Sequence, residues 1–334
     1  MCGFLGQFSS DKINEKLLEN SNNYLICRGP DDLQISVDQI SNKFSSDNHD
    51  YYSFIFNRLT ILDMTDHSKQ PMFSDTFNTS VMFNGEIYNH NELRKNLESK
   101  GVKFKSDHSD TEVVLNGLSF YGISFVNQLV GQFAISFFNA KKNELTLIRD
   151  RLGQKPLFFH HNKTKISFGS NLKSLISLEG DYEIDESSFN EYLNYGVVTS
   201  PKTIFKDFYK VQPSEVVTFE LNKIYKLKNK FIYWDPKSYI HDRKYDQDEF
   251  INWFSTAVNC REKADVEIAT FLSGGIDSTS IIKNLFDRKA KISSFSANYN
   301  DKKYDEKKWS DDVSNKYSNE HYSKIITNEE IENS

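Results

Sequence analysis

The hydrophobic pattern of this chain changes character once, at about Asp246, and the change divides what the chain can fold into. Before it, short apolar runs alternate with turns. Cys2–Phe8, Tyr52–Ile61, Ser80–Phe83, Gln132–Asn139, Glu144–Asp150, Leu157–His161 and Lys165–Gly169 are rich in Phe, Ile, Leu and Val and predict strands. Apolar residues at three- and four-residue spacing predict helices at Lys12–Tyr24, His90–Glu98 and Thr111–Tyr121. Many strands with few helices predict an α+β domain of two packed sheets with helices outside. After Asp246 the order becomes strict: helix Phe250–Arg261, buried strand Val266–Leu272, helix Thr279–Asp287, strand Lys291–Tyr299, helix Glu306–Lys316, strand His321–Ile326. A βαβαβ series of this kind predicts an α/β parallel sheet. Between the two patterns, Glu186–Tyr195 predicts a helix, followed by Pro201, Pro213 and a polar, Lys-rich strand pair.

Composition narrows the class of partner. The 334 residues carry a formal net charge of −6, so no basic field invites nucleic acid or an anionic membrane. No apolar run approaches the roughly 20 residues that span a bilayer, and Asp11 and Lys12 fall where a signal peptide would need an apolar core. The three cysteines, Cys2, Cys27 and Cys260, are far apart and form no CxxC pair. That suggests neither a disulfide framework nor a zinc site, and the expected location is the reducing cytoplasm.

Four further segments give Cys2 a context: Arg28-Gly29-Pro30-Asp31, Arg58-Leu59-Thr60-Ile61-Leu62-Asp63, Asn84-Gly85-Glu86-Ile87-Tyr88-Asn89 and Ser109-Asp110-Thr111-Glu112. With Gly131–Asn139 and the run Arg149-Asp150-Arg151-Leu152-Gly153-Gln154-Lys155-Pro156-Leu157, they resemble the class II glutamine amidotransferases, an N-terminal-nucleophile hydrolase family. Within that family the likeness is to glutamine-hydrolysing asparagine synthetase. The resemblance implies a four-layer αββα sandwich over residues 2–182, with 183–245 as domain edge and connector.

The residues fit that chemistry. Loss of Met1 would leave Cys2 with both a thiol and an α-amine. An unperturbed α-amine has a pKa of about 7.7–8.0, so a neutral fraction is present near pH 7 to accept the thiol proton. Thiolate attack on the glutamine carboxamide builds an oxyanion that needs fixed donors. The resemblance assigns these to the Asn84 side chain and the Gly85 N–H, which makes Cys2, Asn84 and Gly85 the catalytic set. A guanidinium grips a carboxylate in bidentate fashion, so Arg58 suits the substrate carboxylate, and Asp110 with Glu86 suits its ammonium. The family implies Leu59, Thr60, Ile61 and Leu62 as the rest of the glutamine wall. Taken singly, Arg58 reads equally well as an ordinary strand residue and Asp110 as a helix N-cap. Where the family has His before Arg-Gly-Pro-Asp, this chain has Cys27, expected to pack as a small buried hydrophobe.

In the second pattern, Ser273-Gly274-Gly275-Ile276-Asp277-Ser278 lies between a predicted strand and a predicted helix. Glycines there clear space for an anion, the helix N-terminus supplies partial positive charge, and the serines add hydroxyl donors. The segment resembles the PP-loop of ATP pyrophosphatases. By that likeness Leu272, Ser273, Gly274, Gly275, Asp277, Ser278 and Ala297 would hold ATP, with Mg²⁺ on Asp277, and Tyr304-Asp305-Glu306 also matches the family. The expected co-substrates are glutamine, ATP with Mg²⁺, and aspartate, with no tightly bound cofactor.

Only about 90 residues follow Asp246, fewer than a nucleotide-binding domain holds, so residues 246–334 are expected to be the start of a synthetase domain. A fragment, a truncated product or completion by a second chain would each account for this, and the family also forms homodimers. Two other functions stay open. One is a glutaminase serving another acceptor, such as an amino sugar or amino acid; the other is a synthetase-dead remnant acting by partner binding.

Overall fold

The computed structural model of the protein describes residues 2–240, 244–288, 290–300, 303, 305–327 and 329–330. The chain divides into two compact units, Met1–His241 and Asp242–Ser334.

In chain order the first unit contains β1 (Gly3–Ser9), α1 (Glu15–Asn22), β2 (Asp32–Gln39), α2 (Ile40–Lys43), β3 (Tyr51–Arg58), β4 (Met72–Ser74), β5 (Thr79–Ile87), α3 (His90–Ser99), α4 (Asp110–Tyr121), β6 (Gly131–Asn139), β7 (Glu144–Arg149), β8 (Phe158–His161), β9 (Lys165–Gly169), α5 (Leu172–Glu179), α6 (Glu186–Tyr195), β10 (Phe208–Lys210), β11 (Glu215–Leu221) and β12 (Tyr225–Ile232). One sheet runs β10-β8-β9-β1-β3-β2, the other β12-β11-β7-β6-β5-β4. Phe4, Phe8, Phe54 and Phe168 of the first sheet share one buried core with Met82, Phe138, Leu147 and Phe219 of the second. The sheets therefore pack face to face. The outer face of the first is covered through Leu5 and Ile55 by Leu18 of α1 and Leu175 of α5. The outer face of the second is covered through Phe83, Phe133 and Ile135 by Leu97 of α3 and Val114 of α4. The result is the expected αββα sandwich. Aromatic residues fill the middle layer, where Phe8 contacts Phe54 and Phe138 with ring centroids 5.5 and 4.7 Å apart.

The strand pattern departs from expectation in instructive places. The strand expected over Tyr52–Ile61 stops at Arg58, which frees Leu59–Leu62 to form a loop. Strand β2 escapes the sequence pattern because its apolar residues face water: it is an edge strand, and Leu33, Ile35 and Val37 are all exposed. Of the pair expected to be polar, β11 is buried between β7 and β12, and only the outer β12 is Lys-rich and exposed.

The second unit contains α7 (Gln247–Asn259), β13 (Ala269–Phe271), α8 (Ile276–Asp287), β14 (Ser293–Tyr299), α9 (Lys307–Tyr317) and β15 (Glu320–Ile326). Its strands form the expected parallel sheet in the order β13-β14-β15. A small core joins Val258 of α7 to Leu285 of α8 and Ile292. One face buries Ser294, Ser296 and Asn298. On the other, Phe271, Phe295 and Tyr322 stand in register, 89%, 42% and 50% exposed, with the last two rings stacked at 5.0 Å. The first strand was expected to be buried; it is short and exposed because it is an edge strand whose Phe271 face carries no cover among the described residues.

Candidate functional site

A cavity of about 280 Å³ in the first unit is lined by Cys2, Arg58, Leu59, Ile61, Leu62, Asn84, Gly85, Glu86 and Asp110, joined by Ser68, Gln70, Gln132 and Lys155 among others. Cys2 immediately precedes β1 in one sheet, whereas Asn84, Gly85 and Glu86 belong to β5 in the other. Arg58 is the last residue of β3, and Asp110 is the first of α4. The site thus lies where two sheets and a helix start converge. That convergence brings together residues more than 100 positions apart in the chain.

The loop released at Arg58 flanks the sulfur. The Cys2 thiol donates to the Leu59 carbonyl at 3.5 Å, and the Leu59 N–H donates back to Sγ at 3.4 Å. Burial pushes the thiol up, and the Leu59 N–H opposes that shift. Arg28 braces the same residue by donating from Nε to the Cys2 carbonyl at 3.3 Å. Thr60, expected in the glutamine wall, does not line the cavity: its N–H donates to Asp31 at 2.7 Å. The Asp31 N–H in turn donates to the Arg58 carbonyl at 3.0 Å. The Arg28–Asp31 segment is therefore a clasp on the loop that forms one wall.

Arg58 is buried, and its guanidinium donates to the carbonyls of Asp63 and Thr65 and to the Ser68 hydroxyl. These contacts fix the cation at the cavity wall. Asn84 is 1% exposed, and its Nδ2 has no hydrogen-bond partner among the described residues. A buried amide N–H without a partner is costly, on the order of 1–3 kcal/mol, and calls for an acceptor that arrives with the substrate. A Cβ on Gly85 would stand 2.1 Å from the Gln132 carbonyl, so the neighbouring strand admits only glycine there.

Asp110 accepts the Ile87 N–H at 3.1 Å. Burial pushes its carboxyl up to about 7, against the Ile87 hydrogen bond and with help from the nearby Glu86 charge. The helix N-cap is Ser109, whose side chain accepts from Glu112, so Asp110 is not needed for capping. Cys27, expected to be buried, is exposed in the short turn Ile26–Arg28; Leu25 takes the core position beside it.

In the second unit the segment Ser273–Ser278 forms a tight turn between β13 and α8. The Gly275 N–H donates to Ser273 Oγ, and the Ser273 and Ser278 hydroxyls lie 3.2 Å apart. Gly274 has φ +83, and a Cβ there would meet Trp309 Cβ at 2.5 Å. Gly275 caps α8 without a side chain, which leaves the helix N-terminus open to an anion. Asp277 stands exposed in the first turn of α8. Leu272 is buried, with its N–H on the Phe295 carbonyl, and Ala297 is exposed on β14. The turn's hydroxyls, glycines and helix start fit a polyphosphate. No cluster of three or more metal-ligating side chains stands among the described residues. Tyr304, matched to the family in sequence, lies outside them.

No helix among the described residues is long and apolar enough to cross a membrane. A family profile described as a glutamine amidotransferase domain matches residues 1–234, and one described as asparagine synthase matches residues 249–334. Glutamine-hydrolyzing asparagine synthetase 1 of Bacillus subtilis (strain 168) is 30% identical over 342 residues, covering 100% of this chain and 51% of that protein. Asparagine synthetase 3 of the same organism is 30% identical over 358 residues, covering 99% of this chain and 55% of the relative. This chain thus spans little more than half the length of these relatives. A solved structure of the allosteric regulatory enzyme of purine biosynthesis aligns over 97% of this chain and 80% of that one, with TM-score 0.51 and 12% identity. That likeness concerns fold alone.

Proposed function

The chain belongs to the glutamine-hydrolysing asparagine synthetase family, and from that premise we propose that the Cys2 cavity hydrolyses glutamine to glutamate and ammonia. The observation that carries this reading is the buried Asn84 Nδ2, left without a partner in the cavity that holds the Cys2 sulfur. With Met1 removed, the Cys2 amine takes the thiol proton, and the thiolate attacks the carboxamide carbon of glutamine. The resulting oxyanion accepts from Asn84 Nδ2 and from the Gly85 N–H. The amide nitrogen then leaves as ammonia with a proton from the amine. Water adds to the thioester through the same oxyanion, releasing glutamate and the thiol. Arg58 holds the substrate carboxylate, and Glu86 and Asp110 hold its ammonium.

Glutamate release from glutamine by the purified chain tests this directly. Cys2→Ala should abolish it, and a fully active Cys2→Ala protein would falsify the mechanism.

The second unit supports the use of that ammonia in an ATP-dependent amide synthesis. The Ser273–Ser278 turn would hold the ATP pyrophosphate and Asp277 a Mg²⁺ ion, and aspartate would be the carboxylate activated. Parallel sheets are normally covered on both faces. The bare row Phe271, Phe295 and Tyr322 therefore supports a further polypeptide segment packing there, from a longer chain or a second one. Three dispersed cysteines without a pair suit a cytoplasmic setting.

A further inference from the structure

The run Arg149–Leu157 is a sequence motif to which the glutaminase mechanism assigns no role, and its loop is built with unusual rigidity. Asp150 is fully buried, and its carboxylate accepts the N–H groups of Phe133, Leu152, Gln154 and Lys155 at 2.9–3.1 Å. The Arg149 guanidinium donates to the carbonyls of Gly153, Lys155 and Val211 at 2.7, 2.8 and 2.7 Å. Lys155 is thus clamped at both its N–H and its carbonyl. Its side chain is buried and lines the cavity that holds Cys2, Glu86 and Asp110.

We propose that Lys155 is a positioning residue of this site, presented by the clamped Arg149–Pro156 loop as the cation that faces the Glu86 carboxylate and the Cys2 sulfur. The proposal rests on the glutaminase reading for its purpose, although not for its geometry. Burial disfavours the Lys155 ammonium, and the Glu86 charge is the strongest influence opposing that. Arg28, Asp150 and Cys2 also act on it. The N-terminal amine, Arg58 and Asp110 also act on the thiol. When Cys2 ionises, its thiolate joins the Glu86 and Asp110 side chains in one small cavity. Arg58 is already engaged with the loop carbonyls. A cation on a rigid support balances the charge of that cavity and eases thiolate formation. Hydrogen bonding inside the loop does not require lysine at this position, because only the backbone of Lys155 takes part in it.

The test is site-resolved iodoacetamide alkylation of Cys2 against pH, read by mass spectrometry on the full chain. Wild type is compared with Lys155→Arg, Lys155→Met and Lys155→Gln, alongside the pH profile of glutaminase kcat/KM. An opposite charge within about 4–6 Å moves a pKa by about one unit or more. The alkylation midpoint should therefore rise by about one pH unit in Lys155→Met and Lys155→Gln, slowing the reaction about tenfold below it. The acid limb of kcat/KM should move with it, and Lys155→Arg should stay with wild type. An unmoved midpoint in both neutral variants overturns the proposal, as does an arginine variant shifted as far as the methionine one. Lys155→Gln guards against misfolding of the more apolar variant. If wild type shows a Lys155-dependent midpoint but releases no glutamate, the glutaminase reading fails while the Lys155 assignment stands.

Discussion

Replacing Asp110 with Asn separates binding from folding in a way that can be calculated. In the empty cavity the carboxyl titrates at about 7, against 3.8 for an unperturbed Asp. Between those values the folded state holds a proton that the unfolded chain has released. The stabilisation is fully present below about pH 4 and is lost as pH rises towards 7. A shift of about 3 units at about 1.4 kcal/mol each sets a ceiling of roughly 4 kcal/mol for the whole loss, of which about 2–3 kcal/mol falls between pH 5 and pH 8. Asn carries no titrating proton, and its Oδ1 can still accept the Ile87 N–H that Asp110 accepts at 3.1 Å. The stability of Asp110→Asn relative to wild type should therefore grow by about 2–3 kcal/mol between pH 5 and pH 8. Urea unfolding read by hydrogen exchange of the buried β6 amides measures the first unit alone. Saturating glutamine should favour wild type only, since its ammonium restores value to the ionised carboxylate. Glutaminase kcat/KM of Asp110→Asn should fall by about a hundredfold or more. A stability difference that stays flat from pH 5 to pH 8 would refute the reasoning.

Three further outcomes follow from the same geometry. Asn84→Ala should lower glutaminase kcat by about 10²–10³-fold with little change in KM, because its orphan donor meets an acceptor only at the oxyanion stage. Steady-state kinetics check this. Arg58→Lys should raise the glutamine KM by at least about tenfold and increase hydrogen exchange in the 59–68 loop, since lysine cannot hold both the loop and a carboxylate. Gly274→Ala should cost the second unit about 1–3 kcal/mol and abolish ATP binding measured by calorimetry, given the positive φ and the Trp309 contact.

The sequence exposed most of the strand order and chemistry, and its failures share a physical cause. Strand β2 was invisible because an edge strand can turn Leu33, Ile35 and Val37 to water, which defeats a rule that links apolar residues to burial. Arg58, Asn84, Gly85 and Asp110 were readable because their motifs carry recognisable chemistry at fixed order. Thr60 shares a motif with cavity residues yet turns its N–H to Asp31, a contact spanning 29 residues that no local pattern reports. Cys27 was expected inside on residue preference alone, but a three-residue turn places Leu25 in the core and leaves Cys27 out. Lys155 lay within a noted motif, but its place in the cavity depends on how Asp150 and Arg149 fold the loop.

The proposed nucleophile hangs from one sheet and the proposed oxyanion donor from the other, so the aromatic layer between the sheets works as a caliper. Phe4, Phe8, Met82 and Phe138 set the sheet spacing and, with it, the distance between Cys2 and Asn84. A misplacement of about 1 Å at reacting atoms can cost on the order of a hundredfold in rate. Packing changes in this layer should then register in turnover well before they register in melting temperature. A core that tolerates many apolar substitutions for folding would tolerate far fewer for catalysis.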